Sequence, residues 1–105
     1  MLAEQDILKI RDKLVLQFAP QAIILFGSQA TGKADNRSDI DLLVIAPVKG
    51  KRRYLMVEMD RSLAELNYAF DILILTSEEF ERNRTIPGTV ARYASQEGKV
   101  IYESE

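Results

Sequence analysis

Neither histidine nor cysteine occurs anywhere in the chain. Without histidine there is no imidazole general base and no Ser-His-Asp triad, and without cysteine there is no thiol nucleophile. The common zinc sites lose both of their principal ligands. The lack of cysteine also leaves no disulfide framework, which fits a cytoplasmic setting. No apolar run approaches the length that crosses a membrane. Met1-Leu2-Ala3-Glu4 lacks the basic start and apolar core of a signal peptide, so neither membrane insertion nor export is expected. Excess positive charge is missing as well. A net charge of −2 and a pI near 5.2 argue against a general nucleic-acid binder, which would be basic. Any catalysis therefore has to run on carboxylates, hydroxyls, cations and a metal.

What is present reads as one α/β domain over residues 1–105. The length suffices for a single core with little area to spare, and no repeat, low-complexity segment or long linker divides it. Ile7, Leu8, Ile10, Leu14, Val15 and Phe18 recur at helical spacing and predict an amphipathic helix over 3–19, stopped by Pro20. Residues 22–27, AIILFG, form a continuous apolar run, the pattern of a strand buried on both faces. Ser28 suits the cap of a short helix over 29–33, and 35–38 is loop chemistry. A second strand is expected over 39–46, a helix over 51–68 and a third strand over 70–75. Thr76 or Ser77 with Glu79 predicts a capped short helix. Pro87-Gly88 punctuates a break before a helix over 89–96 and a last strand over 99–103.

The richest stretch is residues 27–45. Gly27-Ser28 closes the first strand, ten residues of turn follow, and Asp39-Ile40-Asp41 opens the next strand. Strand side chains alternate, so Asp39 and Asp41 are expected on one face and Ile40 and Leu42 on the other. Adjacent carboxylates are costly unless a cation sits between them. The hard cation that takes oxygen ligands and carries substrate phosphates is Mg²⁺. Free N–H groups at a helix start attract anions, so a Gly-Ser turn beside an acid pair suggests phosphoryl or nucleotidyl transfer. The connection between the first two strands is short enough for an antiparallel pair, and the helix over 51–68 is the crossover that a parallel third strand needs. That topology brings Ser28, Asp39, Asp41 and Asp71 to one edge of a single mixed sheet.

Gly27-Ser28, ten residues, Asp39-Ile40-Asp41 and a later strand bearing Asp71 closely resemble the minimal nucleotidyltransferases of the polymerase-beta-like superfamily. The resemblance covers nearly the whole chain, from the leading helix to the ending 97–103, EGKVIYE. It implies a polymerase-beta-like fold, a mixed sheet of about four strands with helices packed against it. It further implies Mg²⁺-dependent transfer of AMP from ATP to a hydroxyl, a tyrosine, of a protein partner, with the chain acting as antitoxin of a helical HEPN-type toxin. Carried over position by position, Asp39 and Asp41 become ligands of one or two Mg²⁺ ions. Asp71 becomes a further ligand or the general base, and Gly27, Ser28, Gln29 and Arg37 contact the nucleotide. Many relatives have arginine where this chain has Gln29, an amide that hydrogen-bonds phosphate without charge. Arg37 or Lys33 is the candidate compensation.

Two other functions fit the same pattern. One is a binding module that neutralises the toxin by complex formation with little or no catalysis. The other is a small-molecule transferase of the aminoglycoside-modifying kind, although larger relatives of that type carry an acceptor domain for which this chain has no room. Acceptor positioning is expected from a second chain, a partner or another copy, contacting 82–88 and 49–53. Taken singly, the motifs have plainer explanations: solvated aspartates at a strand start, a turn glycine at Gly32, a solvated basic run Lys49, Lys51, Arg52 and Arg53, and packing roles for Tyr54, Tyr68, Tyr93 and Tyr102.

Overall fold

The computed structural model describes residues 2–27, 30 and 39–104. The expected cap at Ser28, the short helix over 29–33 apart from Ala30, and the loop at 35–38 lie outside the described residues, as do Gln29, Lys33 and Arg37.

Helix α1 spans Glu4–Phe18 and buries Ile7, Ile10 and Leu14 along one stripe. Glu4 and Asp6 place negative charge in its first turn, where the helix dipole favours it. It ends at Ala19, held at φ 46°, immediately before Pro20, which cannot extend it. Strand β1 follows at Ala22–Phe26, buried at four of five positions as a two-sided strand should be. Strand β2 covers Ile40–Ile45, so Asp39 precedes the strand rather than opening it.

Helix α2 runs only over Arg52–Ser62, and Ala64–Leu66 is a 3₁₀ turn. The apolar spacing of Leu63 and Leu66 extends the helical pattern past Ser62. The hydrogen bonds nevertheless tighten to Leu63 N–H on Asp60 O and Leu66 N–H on Leu63 O, and Asn67 at φ 58° ends the turn. Strand β3 is Phe70–Leu75, helix α3 Ser77–Asn83, helix α4 Val90–Glu97 and strand β4 Lys99–Glu103.

The sheet order is β3-β2-β1-β4. β1 runs antiparallel to both β2 and β4, while β2 and β3 are parallel, linked through α2. One face of the sheet packs on α1 and α2 through Ile23, Leu25, Ile40, Leu42, Val44, Ile72 and Ile74, joined by Met59 and Leu63. The other face carries Ile24, Phe26, Leu43 and Ile45 against Phe80, Ala91 and Ala94 of α3 and α4. Fully burying one such aliphatic chain contributes about 1.5–3 kcal/mol, so the first face carries most of the hydrophobic stabilisation. Gly98 lets α4 fold tightly back onto β1: a Cβ there would crowd Ala94 O and Ile24 Cγ2.

Candidate active site

β1 ends in Phe26 at the edge of the sheet where β2 and β3 begin. The register sets Phe26 opposite Asp41, and Asp41 opposite Asp71. By the alternation of side chains, Asp41 shares a face with Leu43 and Ile45, and Asp71 shares that face with Leu73 and Leu75. Phe26, Asp41 and Asp71 therefore form one row across three strands, on the face covered by α3 and α4.

Gly27 shapes the floor of this row. Its φ of +74° lies in the left-handed region that favours glycine. The space is also taken: a Cβ on Gly27 would overlap Asp41 Oδ2 and stand 3.1 Å from its Cγ. The Asp41 carboxylate thus lies directly against Gly27.

The electrostatics are unbalanced. Burial, then the charge of Asp71, then that of Asp39, hold the Asp41 carboxyl above the ordinary carboxylate range. No described lysine or arginine forms an ion pair with Asp39, Asp41 or Asp71. Asp39 and Asp71 are both exposed. The place of Asp71 on the outermost strand keeps its carboxylate hydrated. Among the described residues, no three acidic side chains converge into a ready-made cage for an ion. The all-oxygen donor set, crowded with negative charge and set beside a backbone cradle, fits Mg²⁺ rather than a softer metal.

The basic cluster is placed elsewhere. Arg52 donates from Nη1 to Ile74 O at 3.2 Å and lies 3.0 Å from Glu79 Oε1. That is the far end of β3, away from Asp41 and Asp71, so Arg52 is a structural cation. Lys51 stands over the Tyr54 ring, 5.3 Å from its centroid. Arg53 alone of the cluster lines a notch of about 280 Å³ that reaches Asp71 along the outer edge of β3. Of the tyrosines, Tyr102 packs against the core as expected, whereas Tyr54, Tyr68 and Tyr93 are exposed. Tyr93 is the one the sequence reading missed, since only the fold brings α4 beside Phe26.

A family model described as "Polymerase beta, Nucleotidyltransferase" matches residues 8–105. No match is found among curated proteins. Among solved structures, a chain of a toxin–antitoxin complex with AMP-PNP aligns with a TM-score of 0.68 at 24% identity, covering 99% of this chain and 76% of that one. A chain of the MntA-HepT toxin–antitoxin complex aligns with a TM-score of 0.67 at 20% identity, covering 97% and 74%. A third is a chain of the tri-AMPylated Shewanella oneidensis HEPN toxin in complex with MNT antitoxin, with a TM-score of 0.57 at 22% identity, covering 96% and 70%. At these identities the likeness establishes a shared fold, which is the mixed four-stranded sheet described above.

Proposed function

Because the chain belongs to the polymerase beta nucleotidyltransferase family, we propose that it transfers AMP from ATP, with Mg²⁺, to a tyrosine hydroxyl of a HEPN-type toxin and serves as the antitoxin of that toxin. The observation that carries this reading is the Asp41–Asp71 register beside the Gly27 cradle. The partner and the modification are suggested by a structural neighbour in which an MNT antitoxin is bound to an AMPylated HEPN toxin.

The roles follow from position. Asp39 and Asp41 would present the oxygen ligands for Mg²⁺, which would supply positive charge to the bound triphosphate. Gly27 keeps the backbone close to the phosphates, with Ser28, Gln29 and Arg37 as the further nucleotide contacts. Asp71 sits on the outermost strand, on the side open to an incoming chain, and its carboxylate accepts the acceptor's hydroxyl proton. The hydroxyl oxygen then bonds to the α-phosphorus while the α–β bridging P–O bond breaks and pyrophosphate departs. The positioning that such an in-line attack needs, worth about 7–11 kcal/mol, comes from the partner holding its tyrosine against this edge.

The test is incubation with labelled ATP, Mg²⁺ and the cognate HEPN-type protein. Label is expected on a partner tyrosine, and its absence with both proteins folded would refute the reading.

Gln29 favours a second reading, neutralisation by complex formation alone, because an uncharged amide stands where many relatives have arginine. The Asp39→Asn/Asp41→Asn double variant decides between them in cells. Undiminished protection from the toxin would make catalysis unnecessary.

A further inference from the structure

The chain has eight aromatic residues, all described, and the fold sorts them cleanly. Phe18, Phe70 and Tyr102 pack on the core of the α1–α2 face. Tyr68 reaches Asp6 of α1, and Tyr54 lies on α2 itself. On the opposite face, Phe26 and Phe80 are buried. Tyr93 is left as the single exposed aromatic ring on the face that bears Asp41 and Asp71, at 46% exposure.

Its location is specific. The Tyr93 and Phe26 ring centroids are 6.0 Å apart with planes at 71°, an edge-to-face pair. Phe26 is the β1 residue in register with Asp41, and it immediately precedes Gly27. In an edge-to-face pair, whichever ring presents its edge, at least one face of Tyr93 is left uncovered by Phe26. The Tyr93 hydroxyl makes no hydrogen bond among the described residues, so that group does not explain why the ring stands there. A half-exposed ring braced from behind by a buried one, which itself lies beside Gly27 and the Asp41–Asp71 row, is a surface for a flat π system.

We infer that Tyr93, held by Phe26, is the stacking platform for the nucleobase of the bound nucleoside triphosphate. This rests on the nucleotidyl-transfer reading of the site and adds the residue that would hold the base. Phe26 is a positioning residue that fixes the ring, and Tyr93 touches the base. Stacking is tolerant of base identity because every base offers a π face. The platform thus raises affinity for nucleotides generally and selects little between ATP and GTP.

The experiment measures binding of Mg²⁺–ATP and of Mg²⁺–tripolyphosphate, which has the phosphates but no base, to the whole chain and to its Tyr93→Ala and Tyr93→Phe variants. A base–aromatic stack is worth roughly 5- to 150-fold in affinity. Tyr93→Ala should therefore weaken ATP by about five-fold or more and leave tripolyphosphate unchanged, while Tyr93→Phe should retain ATP binding. Thermal melting of each variant shows whether the fold is kept. Equal loss of ATP and tripolyphosphate in Tyr93→Ala, or no loss of ATP, would overturn the platform while leaving the transfer reading intact. Failure of the parent protein to bind either ligand would overturn the transfer reading and the platform with it.

Discussion

The two ends of the sheet treat charge in opposite ways. Where β3 ends, Thr76 and Glu79 form a reciprocal capping box at the start of α3: Glu79 N–H donates to Thr76 Oγ1 at 3.2 Å, and Thr76 N–H donates to Glu79 Oε1 at 2.9 Å. Arg52 completes the arrangement by bridging Glu79 to the Ile74 carbonyl. The Thr76 N–H bond, followed by the Arg52 hydrogen bond, holds the Glu79 carboxyl below its ordinary range. Where β2 and β3 begin, Asp41 is held above that range by burial and by two other acids, with no described cation to balance them. A domain this small gains nothing in stability from crowding carboxylates at a strand edge. The compensated end serves the fold, and the uncompensated end is what a cationic ligand and a polyphosphate would complete.

The sharpest way to break this contrast is Asp41→Asn. The substitution keeps the shape of the side chain and removes the charge nearest the Gly27 cradle. If the site stabilises a transition state through a held cation, losing that ligand removes several kcal/mol, so transfer should fall roughly 10³-fold or more. Quantifying labelled AMP on the partner checks it. Asp71→Asn should also reduce transfer strongly. Asp39→Asn is expected to fall between full and residual activity, since Asp39 precedes the strand and is exposed.

How much of this was legible in the sequence follows from what sets each feature. Apolar runs such as AIILF and FDILIL identify strands by themselves, and a short turn against a long helical crossover decides antiparallel against parallel pairing. The alignment of Asp41 with Asp71 follows from those choices. Other features depend on contacts distant along the chain. Arg52 looked like one member of a solvated run because its partner Glu79 lies 27 residues on. Tyr93 looked like a packing residue because its helix docks on β1 only in the folded sheet. The early end of α2 is local, yet the apolar period of Leu63 and Leu66 concealed it, because those side chains reach the core from a 3₁₀ turn as readily as from a helix.

Gly27 and Gly50 sharpen the comparison with a matched pair of backbones. Both have positive φ, +74° and +77°, so alanine at either position incurs the left-handed penalty, about 1–2 kcal/mol. Nothing lies within 4 Å of a Cβ at Gly50, whereas at Gly27 the Asp41 carboxylate occupies the space. Gly27→Ala should therefore destabilise by roughly 2–4 kcal/mol and displace Asp41, lowering transfer as well. Gly50→Ala should lose only the backbone part and retain activity. Chemical denaturation with a parallel transfer assay distinguishes them, and equal losses would remove the close approach of Asp41 from the account.

At the compensated end, Thr76→Ala removes the acceptor for the Glu79 N–H and leaves the Asp41–Asp71 row untouched. A cap of this kind is worth about 1 kcal/mol, which in a domain of this size lowers Tm by roughly 4–8 °C. Transfer at a temperature well below the melt should be unchanged, and a drop would tie α3 to the active edge.

The smallest expected effects are the most diagnostic, because the two ends should respond to pH with opposite sign. Glu79 has a folded-state pKa below its unfolded value, so its ionisation stabilises the fold above the unfolded value near 4.5. That stability disappears as pH falls through the lower, folded value. Asp41 has a folded-state pKa above its unfolded value of 3.8, so its ionisation destabilises the fold. The loss is absent below the unfolded value and complete above the folded one. In protein stripped of divalent cations and nucleotide, Asp41→Asn should therefore raise Tm at neutral pH. The gain is small, about 1–2 °C, because the carboxylate is partly exposed and solvent screens it. It should vanish as pH falls below 3.8. Glu79→Gln should instead lower Tm at neutral pH, and its deficit should shrink on acidification below 4.5. Saturating Mg²⁺–ATP should reverse the sign at Asp41 only, since ligand then stabilises the parent and not the variant. A melt series over pH with and without Mg²⁺–ATP reads all of this. If Asp41→Asn lowered Tm in the stripped protein, the carboxylate would be part of the structural framework, and the division between the two ends would fail.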